Sequence, residues 1–515
     1  MKGKGTQVLV EKVPTGIAGF DHISQGGIPK GRSTLVSGTS GSAKTIFACQ
    51  FLIEGARLGE GCVFVTFEES VEDLRRNVYG FGWDIAALER EGKWAFVDVS
   101  SDPDSSMVVT GDFDLGALLA RIEYAVQKVN AKRVSLDSIG SLFNHFDDAR
   151  IIRNELLRVF AALKNLGVTA IVTAERTQEY GAIARYGVEE FVSDNVIILR
   201  NILAREKRRR TVEVLKFRGT GHNKGEYPFS IATNRGIVMI PLSALSLQQS
   251  SSAVRATSGN DILDEMCGGG YFRDSIVLVS GATGTGKTLL ATSFLAGGVA
   301  EGERGLFLAF EESQGQLFRN AQGWNFDIAT MEREGMLKVM CTYPEVAGLE
   351  DHLIIIKEVL ETFKPKRIAI DSFSALERTN SVKDFREFVI GLTSLMKNLE
   401  ITGLFTATTS ALFGGTSVIE AHISTITDTV ILLRYVELFG EIHRGLTVLK
   451  MRGSAHDKSI RKFDIDSTGL HIRSPFRNVT GILTGMASHN NPNEFDRLGE
   501  MFQDDVLPEP DDPNI

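Results

Sequence analysis

Apolar runs alternate with amphipathic stretches along most of the chain. Continuous apolar runs predict buried strands in the first half at Val63–Phe67, Val134–Asp137, Thr169–Thr173 and Val196–Leu199. Between them, Leu115–Val129 and Asn154–Asn165 carry apolar residues at the spacing of a helix with one buried face. Because strands and helices that alternate in this way build parallel sheets covered by helices, the pattern predicts an α/β fold.

A glycine-rich octamer occurs twice, 243 residues apart, each time after a short apolar run, Ser33–Val36 or Ser275–Val279. The first copy is Gly38, Thr39, Ser40, Gly41, Ser42, Ala43, Lys44 and Thr45, and the second is Gly281, Ala282, Thr283, Gly284, Thr285, Gly286, Lys287 and Thr288, followed by Leu289. A strand, such a loop and a helix in succession form a phosphate-binding loop, in which backbone N–H groups and the helix N-terminus face the phosphates. The lysine neutralises phosphate oxygens, and the threonine hydroxyl can ligate Mg²⁺. The chain is therefore predicted to bind a nucleotide at two places.

The first loop differs from the second at one position, where Ala43 replaces the glycine that precedes the lysine. If the backbone there must be left-handed, alanine costs on the order of 1 kcal/mol. Lys44 and Thr45 are nevertheless present. We therefore expect the first loop to bind nucleotide as well.

Similarity between the two halves extends beyond the loops. Phe67–Ser70 matches Phe310–Ser313 at an offset of 243, whereas Lys216–Gly219 matches Lys450–Gly453 at an offset of 234, so one loop has changed length. A repeat of this size indicates a duplicated domain. We predict a first domain at 1–245, a linker at 246–256, a second domain at 257–485 and a disordered tail at 486–515, because 494–515 holds eight acidic residues and three prolines.

Carboxylates recur at equivalent positions of the two halves. Asp137 and Asp371 end apolar runs, where a carboxylate can orient Mg²⁺ directly or through water; capping of the next turn is the alternative. The pairs Glu68–Glu69 and Glu311–Glu312 follow apolar runs that should lie beside the loop strands. A carboxylate there can accept a proton from an attacking water or hydroxyl, although a solvated strand end would also explain two adjacent glutamates.

Composition narrows the function class. The 515 residues are 43% hydrophobic and 23% charged, and the net charge of −9 argues against a general nucleic-acid binder. One basic run, Lys207–Arg210, is expected to be a solvated turn or an intersubunit contact. The four cysteines lack CxxC spacing, and neither a signal peptide nor a membrane-length apolar stretch is visible, which predicts a cytoplasmic protein.

Several longer motifs resemble the KaiC family, the RecA-like circadian-clock ATPases and autokinases. The resemblance runs from about Pro14 to Asn478 and is most specific at Leu263–Gly270 and His422–Asp428. It implies two tandem RecA-like P-loop NTPase domains, each a mainly parallel sheet flanked by helices. It further implies a homohexamer of two stacked rings with ATP and Mg²⁺ between neighbouring subunits. The first domain would be an ATPase that drives ring assembly, and the second an autokinase and autophosphatase.

The same resemblance assigns roles to individual residues. Ser424 and Thr425 become phosphoacceptors, Glu311 the general base, and Glu68 with Glu69 the activators of water, while Glu312 is a further catalytic candidate. The implied metal ligands are Thr45, Thr288 and Glu311. Around the second nucleotide the matching positions are Trp324, Arg444, Lys450, Met451, Arg452, Ser454, His456 and Lys458. Around the first they are Lys216, Phe217, Arg218, Thr220 and His222, and Arg378 matches an arginine near the phosphosites.

Departures from the family pattern concern regulation. Ile419 and Ala421 replace hydroxyl residues before the phosphosites, so a phosphate relay through Ile419 is excluded. Residues 486–515 do not match the family's C-terminal tail that the activator KaiA grips, which speaks against a KaiA-like activator, whereas a KaiB-like protein is a candidate partner. Two other functions remain open: a RecA-type DNA recombination or repair ATPase, and a nucleotide-gated scaffold without enzymatic activity.

Overall fold

A computed structural model provides the structure of the chain. It describes residues 10–99, 115–143, 149–187, 189–204, 206–241, 252–409, 423–477, 479–483 and 488–489. The chain divides into two compact units, 1–245 and 246–515. Ile419, Ala421, His422 and the acidic tail lie outside the described residues.

The first unit contains short and long strands in the described residues. They are β1 (Lys12–Val13), β2 (Ile28–Pro29), β3 (Ser33–Gly38), β4 (Gly61–Thr66), β5 (Trp94–Asp98), β6 (Ala131–Asp137), β7 (Thr169–Glu175), β8 (Asn195–Ala204), β9 (Lys207–Phe217), β10 (Glu226–Ala232) and β11 (Gly236–Val238). The helices are α1 (Ala18–Ile23), α2 (Lys44–Arg57), α3 (Val71–Tyr79), α4 (Ile85–Arg90), α5 (Leu115–Val129), α6 (Ala149–Asn165) and α7 (Glu189–Val192), with a 3-10 turn at Ile139–Phe143.

The second unit repeats this series. Its strands are β12 (Arg255–Ala256), β13 (Tyr271–Phe272), β14 (Ile276–Gly281), β15 (Gly305–Ala309), β16 (Leu337–Cys341), β17 (Arg367–Asp371), β18 (Thr402–Thr408), β19 (Thr429–Leu438), β20 (Glu441–Met451), β21 (Arg461–Asp466), β22 (Gly469–Pro475), β23 (Val479–Thr480) and β24 (Ser488–His489). Its helices are α8 (Asp261–Met266), α9 (Lys287–Ala300), α10 (Gln314–Gln322), α11 (Ile328–Arg333), α12 (Leu349–Phe363), α13 (Phe373–Arg378) and α14 (Val382–Asn398).

The main sheets of the two units have the same topology. Among the described residues each has nine strands, in the orders β5-β4-β6-β7-β3-β8-β9-β10-β11 and β16-β15-β17-β18-β14-β19-β20-β21-β22. The first six strands in each order are parallel, and the last three add antiparallel pairings. Two mainly parallel sheets flanked by helices confirm the predicted fold class.

Burial explains why the loop strands occupy the middle of each sheet. Every residue of β3 and of β14 is buried, as expected for strands that helices cover on both faces. Ligands of such sheets bind beyond the carboxyl ends of the central strands, where β3 and β14 end in the glycine-rich loops. The fold therefore directs attention to this edge.

The basic run departs from its sequence interpretation. Lys207–Arg210 begins strand β9, which pairs antiparallel with β8 over Asn201 to Ala204. Strand β8 also extends past the apolar residues Val196–Leu199, because the hairpin continues the ladder beyond the buried part of the sheet. The arginines are thus part of a hairpin beside the first glycine-rich loop rather than a turn.

Candidate nucleotide sites

The second glycine-rich loop connects the end of β14 to the start of α9. Gly286 has φ +104°, a left-handed conformation that glycine adopts without strain, and it directly precedes the helix. Lys287 Nζ donates to the carbonyls of Gly281 and Ala282, both at 2.9 Å, so the lysine folds back over the loop. Burial lowers the pKa of this lysine. The loop therefore has a cation held within it, as phosphate binding requires.

Asp371 ends β17 and lies beside this loop. Thr288 Oγ1 donates to Asp371 Oδ2 at 2.5 Å, and the Thr406 hydroxyl donates to the other carboxylate oxygen. Burial raises the pKa of Asp371, whereas these hydroxyls and Lys287 favour its ionised form. A threonine hydroxyl against a carboxylate is the pair that orients Mg²⁺ in P-loop NTPases, so the donor set fits that ion.

The two glutamates after β15 have different partners. Glu311 accepts from the Ser372 hydroxyl at 2.9 Å and forms an ion pair with Arg378. Glu312 accepts from Asn320 Nδ2 at 3.3 Å, and burial raises the pKa of its carboxyl. Ser372 directly follows Asp371, so Glu311 is held near the aspartate, and Arg378 lies on the base candidate rather than at a distance from it.

A cavity of about 380 Å³ brings most of these side chains together. Sequence-predicted residues that line it are Thr283, Gly284, Gly286, Lys287, Thr288, Leu289, Glu311, Glu312, Trp324, Asp371 and Arg444. Ile465 and Leu317 add apolar surface, and Trp324 is half-buried. A phosphate-binding loop, carboxylates and an aromatic ring in one cavity suit a nucleotide, which has both a charged and an apolar end.

The first unit repeats this arrangement with changes. Lys44 Nζ donates to the carbonyls of Gly38 and Thr39, both at 3.1 Å, and Thr45 Oγ1 donates to Asp137 Oδ2 at 2.6 Å. Ala43 has φ +75°, so this alanine occupies the left-handed conformation of Gly286, which costs about 1 kcal/mol or more.

The acidic residues of the first unit have partners that differ from those of the second. Glu68 accepts from the hydroxyls of Ser138 and Ser141, with no arginine among its recorded partners in the described chain. Glu69 accepts from Asn77 Nδ2 at 3.4 Å, and burial raises the pKa of its carboxyl. The Thr173 hydroxyl donates to Asp137 as that of Thr406 does to Asp371.

The remaining predicted residues lie at the opposite edge of the sheet. Register pairs Val277 with Thr429 and Thr429 with Met451, so the end of β20 is level with the start of β14. From Val277 to Gly281 the strand spans about 13 Å, at about 3.3 Å per residue. Lys450, Met451 and the residues that follow therefore stand away from their own phosphate-binding loop, unlike Arg444.

The two phosphoacceptor candidates belong to this opposite edge. Lys450 Nζ donates to the carbonyls of Ser424 at 2.5 Å and Thr427 at 2.7 Å. Arg452 Nη2 donates to the Thr425 carbonyl at 2.6 Å. The Thr425 residue is exposed and Ser424 is half-buried.

The first unit has the same contacts at an offset of 234. Lys216 Nζ donates to the carbonyls of Glu190 at 3.1 Å and Ser193 at 2.9 Å, and Arg218 pairs with Asp194 at 3.2 Å. The contacts of Lys216 and Lys450 thus align Glu190 with Ser424, and Phe191 with Thr425.

Other predicted residues near these edges have mainly packing contacts. Phe217 and Met451 are buried, Ser454 Oγ accepts from Arg255 at 2.7 Å, Thr220 is half-buried and Lys458 is exposed. His222 and His456 each bury Nδ1 without a hydrogen-bond partner within the described chain. Burial lowers the pKa of His222.

Sequence reasoning missed residues that touch the loops. Arg210 Nε donates to the Gly41 carbonyl at 3.1 Å, and Tyr435 Oη donates to the Thr283 carbonyl at 3.3 Å. The offset of 234 relates Arg210 to Arg444, so the repeat itself contained the signal for this arginine. Glu179 accepts from Thr39 Oγ1 at 2.6 Å, and neither its spacing nor its neighbours indicate this contact.

Comparison with known proteins follows the duplication. The family model described as "ATPase: KaiC" matches residues 13–244 and again 256–476. The chain belongs to the KaiC family of ATPases. It is 61% identical over 497 residues to the circadian clock protein KaiC3 of Synechocystis sp., covering 96% of this chain and 98% of that protein. The circadian clock oscillator proteins KaiC of Thermostichus vulcanus and Synechococcus elongatus are each 55% identical, with 96% of this chain covered and 96% and 95% of theirs.

Family membership supports nucleotide binding and ATPase chemistry at these loops. Two further searches were confined to the described residues. None of their helices has the length and apolar character needed to cross a membrane. No cluster of three or more histidine, cysteine or acidic residues suited to a metal was found there, so a cation at these sites would rely on threonine, carboxylate and phosphate oxygens.

Proposed function

We propose that this KaiC-family protein hydrolyses ATP in its first unit and uses ATP in its second unit to phosphorylate Ser424 and Thr425 of a neighbouring copy. In this proposal the domains are the predicted ones, the assembly is a homohexamer with nucleotide at subunit boundaries, and the protein acts in a circadian clock or a related timing pathway. Support comes from the KaiC-type relatives and from the position of the acceptors relative to the loop.

One observation carries the intermolecular part of the proposal. The loop at Lys287 lies at the carboxyl edge of its sheet, whereas Ser424, Thr425, Lys450 and Arg452 lie at the amino edge. A chain cannot bring opposite edges of a rigid sheet to one phosphate. Adjacent copies in a ring can place the amino edge of one sheet against the carboxyl edge of the next, which completes the site.

The described residues then have separate tasks. Lys287 binds the β- and γ-phosphates, and Thr288 with Asp371 would hold Mg²⁺, which neutralises phosphate charge when bound. Glu311 accepts the proton of the attacking hydroxyl, and Ser372 orients this carboxylate. Lys450 and Arg452 of the neighbouring copy stabilise the charge on the transferring phosphoryl group, as an arginine finger does.

The first unit favours hydrolysis because it lacks the acceptors. Glu190 and Phe191 occupy the positions of Ser424 and Thr425, so no side-chain hydroxyl is available at that place. Water is then the acceptor, and Glu68, held by Ser138 and Ser141, is placed to accept its proton.

Partner assignments extend the proposal. A KaiB-like protein is the candidate regulator, while the tail at 486–515 gives no match for a site that a KaiA-like activator would grip. We therefore propose phosphorylation that needs no such activator. Nucleic acid is not a proposed partner, because the net charge is −9.

Complementation tests the intermolecular site. Lys287→Ala removes phosphoryl donation, and a second chain with Ser424→Ala and Thr425→Ala removes acceptance. Each variant alone should remain unphosphorylated at these positions. A mixture that exchanges subunits with ATP should show phosphate by mass spectrometry on the Lys287→Ala chain only, and native mass should show the hexamer. Phosphate confined to chains with an intact Lys287 would contradict transfer between copies.

A further inference from the structure

The first glycine-rich loop is tied to the rest of its unit more firmly than the second. Thr39 Oγ1 donates to Glu179 Oε1 at 2.6 Å, and the backbone N–H of Asn201 donates to Glu179 Oε2 at 3.0 Å. One carboxylate therefore bridges the loop and strand β8. Arg210 Nε adds a bond to the Gly41 carbonyl at 3.1 Å, so the loop is held at its start and in its middle.

Buried side chains fix Glu179 itself. Arg200, which is 7% exposed, donates from Nε to the Glu179 carbonyl at 3.2 Å and from Nη2 to Glu213 at 2.6 Å. Its guanidinium also lies 4.9 Å from the centre of the Tyr180 ring. The segment that carries Glu179 is thus attached to the sheet through an arginine with little freedom to move, which makes the glutamate a rigid support.

The second loop lacks an alanine at the critical position and has a lighter recorded attachment. Gly286 adopts its left-handed angle without strain, and Tyr435 Oη, which corresponds to Asn201, reaches the Thr283 carbonyl at 3.3 Å. Ala43, in contrast, occupies the same conformation with a side chain. Strained backbone persists only where its surroundings fix it, so the additional ties fall where strain has to be held.

We propose that Glu179 is a positioning residue of the first nucleotide site, which keeps the loop in its phosphate-binding shape against the strain at Ala43. The inference rests on the proposed binding of ATP at Lys44. Without the Glu179 bridge, a loop with Ala43 can relax towards negative φ and lose its cradle. A loop with glycine at that position gains nothing by relaxing. The apparent affinity falls with the fraction of chains that retain the competent loop.

A double-mutant cycle on the full-length protein measures this coupling. Lys287→Ala silences the second loop, and a fluorescent ATP analogue with Mg²⁺ reports the first. With Ala43 present, Glu179→Ala should weaken binding about tenfold; in an Ala43→Gly chain the same change should weaken it less than about threefold. Gln178→Ala, an exposed neighbour on the same segment, is the control that should leave binding unchanged.

Each outcome decides the question. Equal losses in the alanine and glycine backgrounds, or no loss on Glu179→Ala, would overturn the positioning role while leaving nucleotide binding intact. If Lys287→Ala chains show no binding that depends on Lys44, the nucleotide site itself fails and the inference with it.

Two further readouts separate positioning from a general loss of structure. Thr39→Val removes the hydroxyl that donates to Glu179, so adding it to Glu179→Ala should cause no further loss of affinity. The ATPase of the first unit should show a raised KM with little change in kcat, and Ala43→Gly should restore it. A fall in kcat that glycine does not restore would contradict the proposal.

Discussion

Replacing Glu311 by glutamine is expected to slow phosphoryl transfer far more than it weakens the fold. The amide oxygen can still accept from the Ser372 hydroxyl, which is 2.9 Å from the carboxylate in the native site. The ion pair with Arg378 is lost, but the two side chains are 61% and 41% exposed, so it contributes at most about 1 kcal/mol. Loss of a general base, in contrast, lowers a rate by about 10² to 10⁴, or roughly 3–5 kcal/mol at 1.36 kcal/mol per factor of ten.

Single-turnover measurement of phosphate on the Ser424/Thr425 peptide separates these magnitudes. Nucleotide affinity and Tm, measured on the same preparation, should change little, because Lys287, Thr288 and Asp371 keep their contacts. Glu312→Gln is the matched comparison, and we expect a loss within about tenfold because its recorded partner is Asn320 rather than Ser372. An equal loss in both variants, or an unchanged rate in Glu311→Gln, would refute the assignment of Glu311 as the base.

Three other predictions concern charge and burial. Arg367 is 1% exposed and binds Glu301 and Glu303, so Arg367→Met should destabilise the second unit by about 3–5 kcal/mol, whereas Glu301→Gln, at the 49% exposed partner, should cost about 1 kcal/mol or less; hydrogen exchange resolved by unit checks both. Burial lowers the pKa of Lys287, and phosphates favour its charged form, so nucleotide affinity at the second site should be full at neutral pH and decline as the pH rises through the lowered pKa, a dependence that Lys287→Arg should remove in binding titrations. Burial raises the pKa of Asp371, so the stability due to its neutral form is present below the usual carboxyl range and is lost as the pH rises through the raised pKa; Asp371→Asn should therefore not lower the Tm of the nucleotide-free protein at neutral pH, and scanning calorimetry across pH should show a smaller slope than in the wild type.

The sequence predicted the parts of the fold that depend on local pattern. Continuous apolar runs located β4, β6 and β7, and the glycine-rich octamers located the turns between β3 and α2 and between β14 and α9. Strand β8 was predicted too short, because its outer half pairs in a hairpin and no longer follows burial. Helix α6 begins at Ala149 rather than Asn154, since its first turn is polar and carries no apolar face to recognise.

Contacts between distant residues were harder to predict, and they decide the details of the sites. Glu179 is 140 residues from Thr39, and Arg133 reaches the Pro14 carbonyl across 119 residues. Composition and periodicity do not encode such pairings, because they arise from sheet order. The repeat offers one exception: comparing positions 234 apart relates Arg210 to Arg444 and Glu190 to Ser424, so a duplicated chain can be used to check itself.

The differences between the two units support a division of labour between them. The sheets share their order, and both loops keep the lysine, the threonine and the buried aspartate. Changes are concentrated at three chemical positions: hydroxyls against Glu190 and Phe191 at the acceptor positions, Arg378 against serine hydroxyls on the base, and Gly286 against Ala43 in the loop. Random drift would also alter the aspartates and lysines that hold phosphate. Retaining the binding groups while altering the acceptor and the partners of the base is what one duplicated site needs in order to use water in one copy and a protein hydroxyl in the other.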